Sequence, residues 1–221
     1  MKKFIAVAGN IGVGKSTLVA MLSERLGWEP FYEPVTENPY LADFYEDMST
    51  WAFHSQVFFL TRRLQAHRQI TLRPTSVIQD RSVYEDAEIF AYNLYAQGVM
   101  DARDYVSYHA LYEVLCEFLP PPDLVIYLRA SVPTLLRRIA QRGRDYERTI
   151  REAYLEQLNR RYEEWISNFN LCPVLTVPAD SLDYVANAGH LDLIARKIQE
   201  KLTGKEEVIF APEEIARSNG E

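Results

Sequence analysis

Residues 9–16 read Gly-Asn-Ile-Gly-Val-Gly-Lys-Ser and fill every fixed position of the pattern G-x-x-x-x-G-K-[ST]. A short apolar run, Phe4-Ile5-Ala6-Val7-Ala8, precedes them. Ser16 to Leu26 follows, with Leu18, Met21, Leu22 and Leu26 at helical spacing. Strand, glycine-rich turn and helix together aim backbone N–H groups and a helix N-terminus at a phosphate. On this reading Gly9, Asn10, Ile11, Gly12, Val13, Gly14, Lys15, Ser16 and Thr17 cradle a nucleoside triphosphate. Lys15 reaches its β/γ-phosphates, and the Ser16 hydroxyl is placed for Mg²⁺. Such a loop needs a strand behind it, which commits the chain to an α/β sheet.

Four further β-prone runs support that commitment: Glu29–Glu33, Ser76–Asp80, Leu124–Leu128 and Val174–Val177. They are apolar on both faces, as strands of a parallel sheet covered by helices must be. The expected architecture is a three-layer α/β/α unit with a parallel five-stranded sheet and a short basic lid. Helices are expected over Thr50–Leu72, Tyr84–Gln97 and Asp101–Leu119. Others are expected from a Ser131 cap through Arg142, over about 148–169, and over about 189–202, closed by Gly204. Residues 1–204 read as one domain, and the polar tail 205–221 is left open between disorder and local docking.

The chain of 221 residues carries 31 acidic and 24 basic side chains, a formal charge of −7. That balance disfavours a nucleic-acid polymer, which needs a basic face, but not a small phosphate ligand. No apolar run approaches membrane length, so no membrane partner is expected. Met1-Lys2-Lys3 leads straight into the first strand, so no secretory leader is expected either. Cys116 and Cys172 show no metal spacing and read as buried thiols of a reducing compartment. The expected location is the cytoplasm.

In open α/β sheets, ligands lie at the carboxyl ends of the strands. Glu33 and Asp80 fall there. Phosphoryl transfer to a hydroxyl needs a carboxylate, cations on the moving group and Mg²⁺. Glu33 is by position either a general base or a solvated loop acid. Asp80 either serves the metal or ends its strand in an ion pair, and Arg81 beside it faces a phosphate or clamps Glu33. After the fourth strand, Arg137, Arg138, Arg142, Arg144 and Arg148 cluster around Gly143. Alone they would read as a solvated helix end; beside a phosphate loop they read as a lid that closes over a triphosphate. Aromatics crowd residues 28–60, with Gln56 among them. Its amide can pair with an adenine or cytosine edge, although a surface position is the default. The four histidines show no ligand spacing.

Taken together, the phosphate loop, Glu33-Pro34-Val35, Trp51-Ala52-Phe53-His54-Ser55-Gln56, Asp80-Arg81-Ser82-Val83-Tyr84-Glu85-Asp86 and Arg142-Gly143-Arg144 resemble the deoxynucleoside kinase family over roughly residues 3–203. Residues 162–174 are similar to bacterial deoxyadenosine/deoxycytidine kinases in particular. The resemblance implies ATP-dependent, Mg²⁺-assisted phosphorylation of a deoxynucleoside 5′-hydroxyl in nucleotide salvage. Deoxyadenosine and deoxycytidine are the leading acceptors and deoxyguanosine a third. It implies Glu33 as base, Arg81 and Lys15 on the transferring phosphoryl, and Ser16 and Asp80 on Mg²⁺. Arg138, Arg142 and Arg144 would form the lid. Gln56, Arg63 and Asp86 would line the base edge, and Tyr45 and Glu147 would hold the sugar 3′-hydroxyl. It also implies a homodimer, for which the helices of residues 84–119 are the candidates. A nucleoside monophosphate kinase such as thymidylate kinase would need cations near the second strand, where Glu33-Pro34-Val35-Thr36-Glu37 is acidic. A non-catalytic nucleotide-binding protein would not need Lys15, Ser16, Glu33 and Arg81 all intact.

Overall fold

The computed structural model describes residues 2–32, 37–144, 147, 150–206 and 208–219. Five strands form one parallel sheet: β1 (Phe4–Gly9), β2 (Glu29–Phe31), β3 (Val77–Asp80), β4 (Leu124–Arg129) and β5 (Val174–Pro178). Their order is β2-β3-β1-β4-β5. β1 pairs with β3 through Val7↔Asp80 and with β4 through Gly9↔Leu128. The expected fold class therefore holds, with β2 ending at Phe31 and Glu33 outside the described residues. Because β1 lies between β3 and β4, the chain reverses direction across the sheet at its end. That crevice is where open α/β sheets bind ligands.

Ile5, Val7, Ile78, Ile126 and Leu175 of the sheet are fully buried. Helices α1 (Lys15–Leu26) and α9 (Ala188–Leu202) supply Leu18, Leu22, Ile194 and Ile198 to the same core. A second core joins α3 (Met48–Leu72), residues 83–96 and α6 (Ala102–Cys116) through Leu60, Tyr84, Leu94 and Tyr108. α3 starts where Asp47 accepts hydrogen bonds from the Ser49 and Thr50 hydroxyls and backbone N–H groups, which pull its carboxyl down to about 2.

Several expected elements are corrected. The single helix expected over 84–97 is α4 (Val83–Glu85), a π-helical turn (Asp86–Ala91) and α5 (Tyr92–Ala96). Extra backbone per turn of this kind is set by packing and leaves no trace in hydrophobic spacing. α2 (Leu41–Glu46) was not expected; it is a six-residue helix without a side-chain cap. α7 (Val132–Arg142) begins at Ser131 as anticipated, but the Ser131 hydroxyl donates to Asp180 Oδ1 at 3.0 Å instead of capping. α8 covers Glu152–Asn168, and the two thiols are half-buried. The tail docks: Val208, Phe210 and Ile215 pack on the main core, and α10 (Pro212–Ser218) is tied to α9 by Lys197–Glu214 at 2.8 Å. Proline in the first turn with two glutamates behind it is a legible helix start.

Candidate active site

The loop after β1 bends through Gly9, Gly12 and Gly14, all at positive φ. At Gly14 the requirement is also spatial. A Cβ there would lie 2.5 Å from the Tyr184 hydroxyl, which donates to the Gly14 carbonyl at 3.1 Å. Further side chains brace the loop. Asn10 Nδ2 donates to Leu155 O and Asn159 Oδ1, while its Oδ1 accepts from the Ile11 N–H at 2.7 Å. Lys15 Nζ donates to the carbonyls of Gly9 and Asn10 at 2.8 and 3.1 Å. The lysine charge thus lies inside the loop, where a phosphate would be held.

Across from the loop, the Ser16 hydroxyl donates to Asp80 Oδ2 at 2.5 Å. The other oxygen, Asp80 Oδ1, is buried with no hydrogen-bond partner among the described residues. Buried polar atoms are rarely left so, and an unpaired carboxylate oxygen beside a hydroxyl suits a hard cation. Arg81 follows at φ +65, a left-handed conformation that a non-glycine residue holds at a cost of about 1–3 kcal/mol. Its N–H still donates to Val7 O at 2.9 Å. The twist sends the guanidinium into the crevice, 4.2 Å from the Phe90 ring centroid and 3.4 Å from the Tyr162 hydroxyl.

The opposite wall comes from α3 and the π-helical turn. Gln56 and Arg63 are seven residues apart, two turns on one helical face, and both are buried. Gln56 is therefore no surface residue. Arg63 Nε donates to Asp86 Oδ2 at 3.1 Å, and its Nη1 donates to Asp80 O at 3.0 Å and Arg81 O at 3.2 Å. The pair ties this wall to the turn that carries Asp80 and Arg81. Ser55 is fully buried and accepts from Asn38 Nδ2 at 3.0 Å; Phe44, Phe59 and Phe90 are among the aromatic rings that line the same cavity as Gln56.

The arginines expected to form a lid behave differently from one another. Arg138 is a strut: its Nη1 donates to Val13 O at 2.6 Å and its Nη2 to Ala179 O at 2.9 Å. Arg142 and Arg144 converge on buried Glu147, at 2.7 and 3.5 Å. Glu33 and Arg148 lie outside the described residues. One cavity of about 820 Å³ joins these parts. Its lining includes Gly12, Gly14, Lys15, Ser16 and Thr17 of the loop, Tyr45, Gln56 and Asp86, and also Asp80, Arg81, Arg138, Arg142, Arg144 and Glu147. A volume of this size falls in the range of small-molecule sites.

Three contributors escaped the sequence reading. Glu85, fully buried, accepts from the Gly9 N–H at 3.2 Å; its spacing from Ser82 is that of a capping box. Tyr162 places its hydroxyl 2.9 Å from Gly9 O. The segment Leu182–Ala186 borders the cavity beside Gly14, and no local pattern marks it.

The deoxynucleoside kinase family profile matches residues 5–203. The chain is 41% identical to the deoxyadenosine/deoxycytidine kinase of Bacillus subtilis, over 88% of this chain and 90% of that protein. It is 38% identical to the deoxyguanosine kinase of the same organism, over 89% of this chain and 96% of that one. A solved structure of deoxyadenosine kinase from M. mycoides, with dCMP and dCDP bound, superposes with a TM-score of 0.80 at 38% identity. The overlap covers 89% of this chain and 99% of that chain.

Proposed function

The chain belongs to the deoxynucleoside kinase family and is a deoxynucleoside kinase, and on that premise we propose that it transfers the γ-phosphoryl of Mg²⁺-ATP to the 5′-hydroxyl of deoxyadenosine or deoxycytidine, with deoxyguanosine as a further acceptor. The observation that carries the proposal is one cavity lined both by the phosphate loop and by Gln56 and Asp86, the latter paired with Arg63. The Gln56 amide offers paired donor and acceptor groups to a base edge, and Asp86 adds an acceptor for an exocyclic amine. A thymine edge carries no such amine.

Each side chain then has a task. Glu33 takes the proton of the 5′-hydroxyl, worth about 10²–10⁴-fold in rate. Lys15 and Arg81 carry charge toward the phosphoryl oxygens, a larger contribution in a water-poor crevice. Ser16 and Asp80 would hold Mg²⁺, whose bound form neutralises phosphate charge; the unpaired Asp80 Oδ1 supports that fit. Tyr45 and Glu147 would receive the sugar 3′-hydroxyl. Arg142 and Arg144 close over the phosphates, and Arg138 keeps the loop in shape. The two unpaired cysteines suit a cytoplasmic protein.

We read the assembly as a homodimer through the exposed apolar face of α6. Val106, Leu111 and Val114 lie open there, with Phe118 just beyond. Light scattering at the single-chain mass of 25.6 kDa would refute that. Steady-state kinetics over the four deoxynucleosides tests the substrate assignment: a higher kcat/KM for thymidine than for deoxyadenosine and deoxycytidine would overturn it. A Glu33→Gln variant with near-full kcat would remove the base.

A further inference from the structure

Glu85 is a fully buried carboxylate with no part in the chemistry above. It begins as a capping residue: Oε2 accepts from the Ser82 N–H at 2.8 Å and the Ser82 hydroxyl at 3.3 Å. Its other oxygen leaves the helix altogether. Oε1 accepts from the Gly9 N–H at 3.2 Å and from the Tyr162 hydroxyl at 2.8 Å. The Tyr162 hydroxyl is also 2.9 Å from Gly9 O, and its ring stacks on Tyr127 at 5.7 Å between centroids. A single carboxylate thus bridges the first residue of the phosphate loop and the turn that bears Asp80 and Arg81.

The place of this bridge matters. The β1–β3 ladder has its last paired residues at Val7↔Asp80, followed by Arg81 N–H to Val7 O. Beyond that rung the two segments diverge, one toward the donor phosphates and one toward the phosphoryl-facing arginine. We infer that Glu85 is a positioning residue that sets the register between the phosphate loop and the Asp80–Arg81 turn, and so holds donor and acceptor at reacting distance. The inference rests on the kinase reading of the site.

Glutamine cannot replace it. An amide has one acceptor oxygen, so its NH₂ would face either the Gly9 N–H or the Ser82 N–H, donor against donor. Aspartate is one methylene too short to span both. Each ligand keeps its own contacts in such variants; what is lost is their mutual placement. A displacement near 1 Å costs roughly 10²-fold in rate.

The test compares wild type, Glu85→Gln, Glu85→Asp and Tyr162→Phe by kcat for deoxyadenosine phosphorylation. Alongside it, Kd is measured separately for ATP and for deoxyadenosine by calorimetry. The expected result is a roughly hundredfold drop in kcat for both Glu85 variants and about tenfold for Tyr162→Phe, with each Kd within about threefold of wild type. Unchanged kcat overturns the inference. So does a loss that appears equally as weakened binding of both ligands, the mark of a merely structural role. If the Glu85 variants do not fold, isosteric Tyr162→Phe decides on the same criteria. A wild type that binds ATP yet phosphorylates no deoxynucleoside would instead refute the kinase reading.

Discussion

Replacing Asp86 by Asn tests whether the contact between α3 and the π-helical turn is held by charge. Arg63 is 2% exposed, and its guanidinium meets Asp86 through Nε at 3.1 Å and Nη2 at 3.5 Å. Asparagine preserves shape and one acceptor but removes the negative charge. Breaking a buried pair by changing one partner costs about 3–5 kcal/mol, because the remaining charge stays desolvated. In a chain of this size each kcal/mol lowers Tm by roughly 2–4 °C, so a fall of about 6–20 °C is expected. The same reasoning makes a second demand. Arg63→Met removes the charge that Asp86→Asn leaves behind, so the double variant should lose less stability than the two single losses added together. Some loss must remain, since Arg63 also serves the carbonyls of Asp80 and Arg81. Urea unfolding of the four proteins measures the cycle, with deoxyadenosine kinetics alongside. An Asp86→Asn loss below about 1 kcal/mol, or strict additivity, would show that the pair is not a desolvated unit.

Other outcomes follow from single contacts. Burial pushes His67 below its usual range against a weaker opposing effect from the Pro120 carbonyl, 2.8 Å from its Nε2. The native state therefore favours the neutral ring, and the unfolded chain binds the proton first. That stability is complete above pH of about 6.5 and declines as pH falls below it, by at most about 1.4 kcal/mol per unit. Tm from pH 8 to 5 should show this drop, reduced in His67→Gln; equal slopes would contradict it. Gly189→Ala places a Cβ 2.4 Å from the Ser218 carbonyl and should displace α10 at a cost of about 1–3 kcal/mol, seen as earlier proteolysis of the tail. An unchanged cleavage pattern would mean the tail packs elsewhere. Arg138→Lys can reach Val13 O or Ala179 O but not both, so kcat/KM for ATP should fall roughly tenfold while the deoxynucleoside Kd stays put. Equal loss on both sides would argue against a strut specific to the phosphate loop.

Much of the fold is legible in the sequence because its cause is local. Ile5-Ala6-Val7-Ala8 and Leu124-Val125-Ile126 are apolar on both faces, which only a sheet covered on two sides accommodates. The phosphate loop is legible for the same reason: its glycines, Lys15 and Ser16 do their work within eight residues. Arg63 and Asp86, 23 positions apart, were named only by family resemblance; nothing in spacing brings them to 3.1 Å. The π-helical turn at Asp86–Ala91 and the left-handed Arg81 depend on packing against neighbours, as strained backbone does.

What the chain order by itself determined was the donor half: a strand, a glycine-rich turn and a helix whose N–H groups converge on phosphate. Tertiary structure alone decided how that half is held. Tyr184 from the segment after β5, Asn159 and Tyr162 from α8, and Arg138 from α7 reach the loop from more than 100 residues away. It also decided that Glu85, which the sequence marks only as a helix cap, turns its second oxygen to Gly9. Hydrophobic periodicity reports which face of an element is buried. It carries no record of which polar group waits there, because that depends on how sheet and helices assemble.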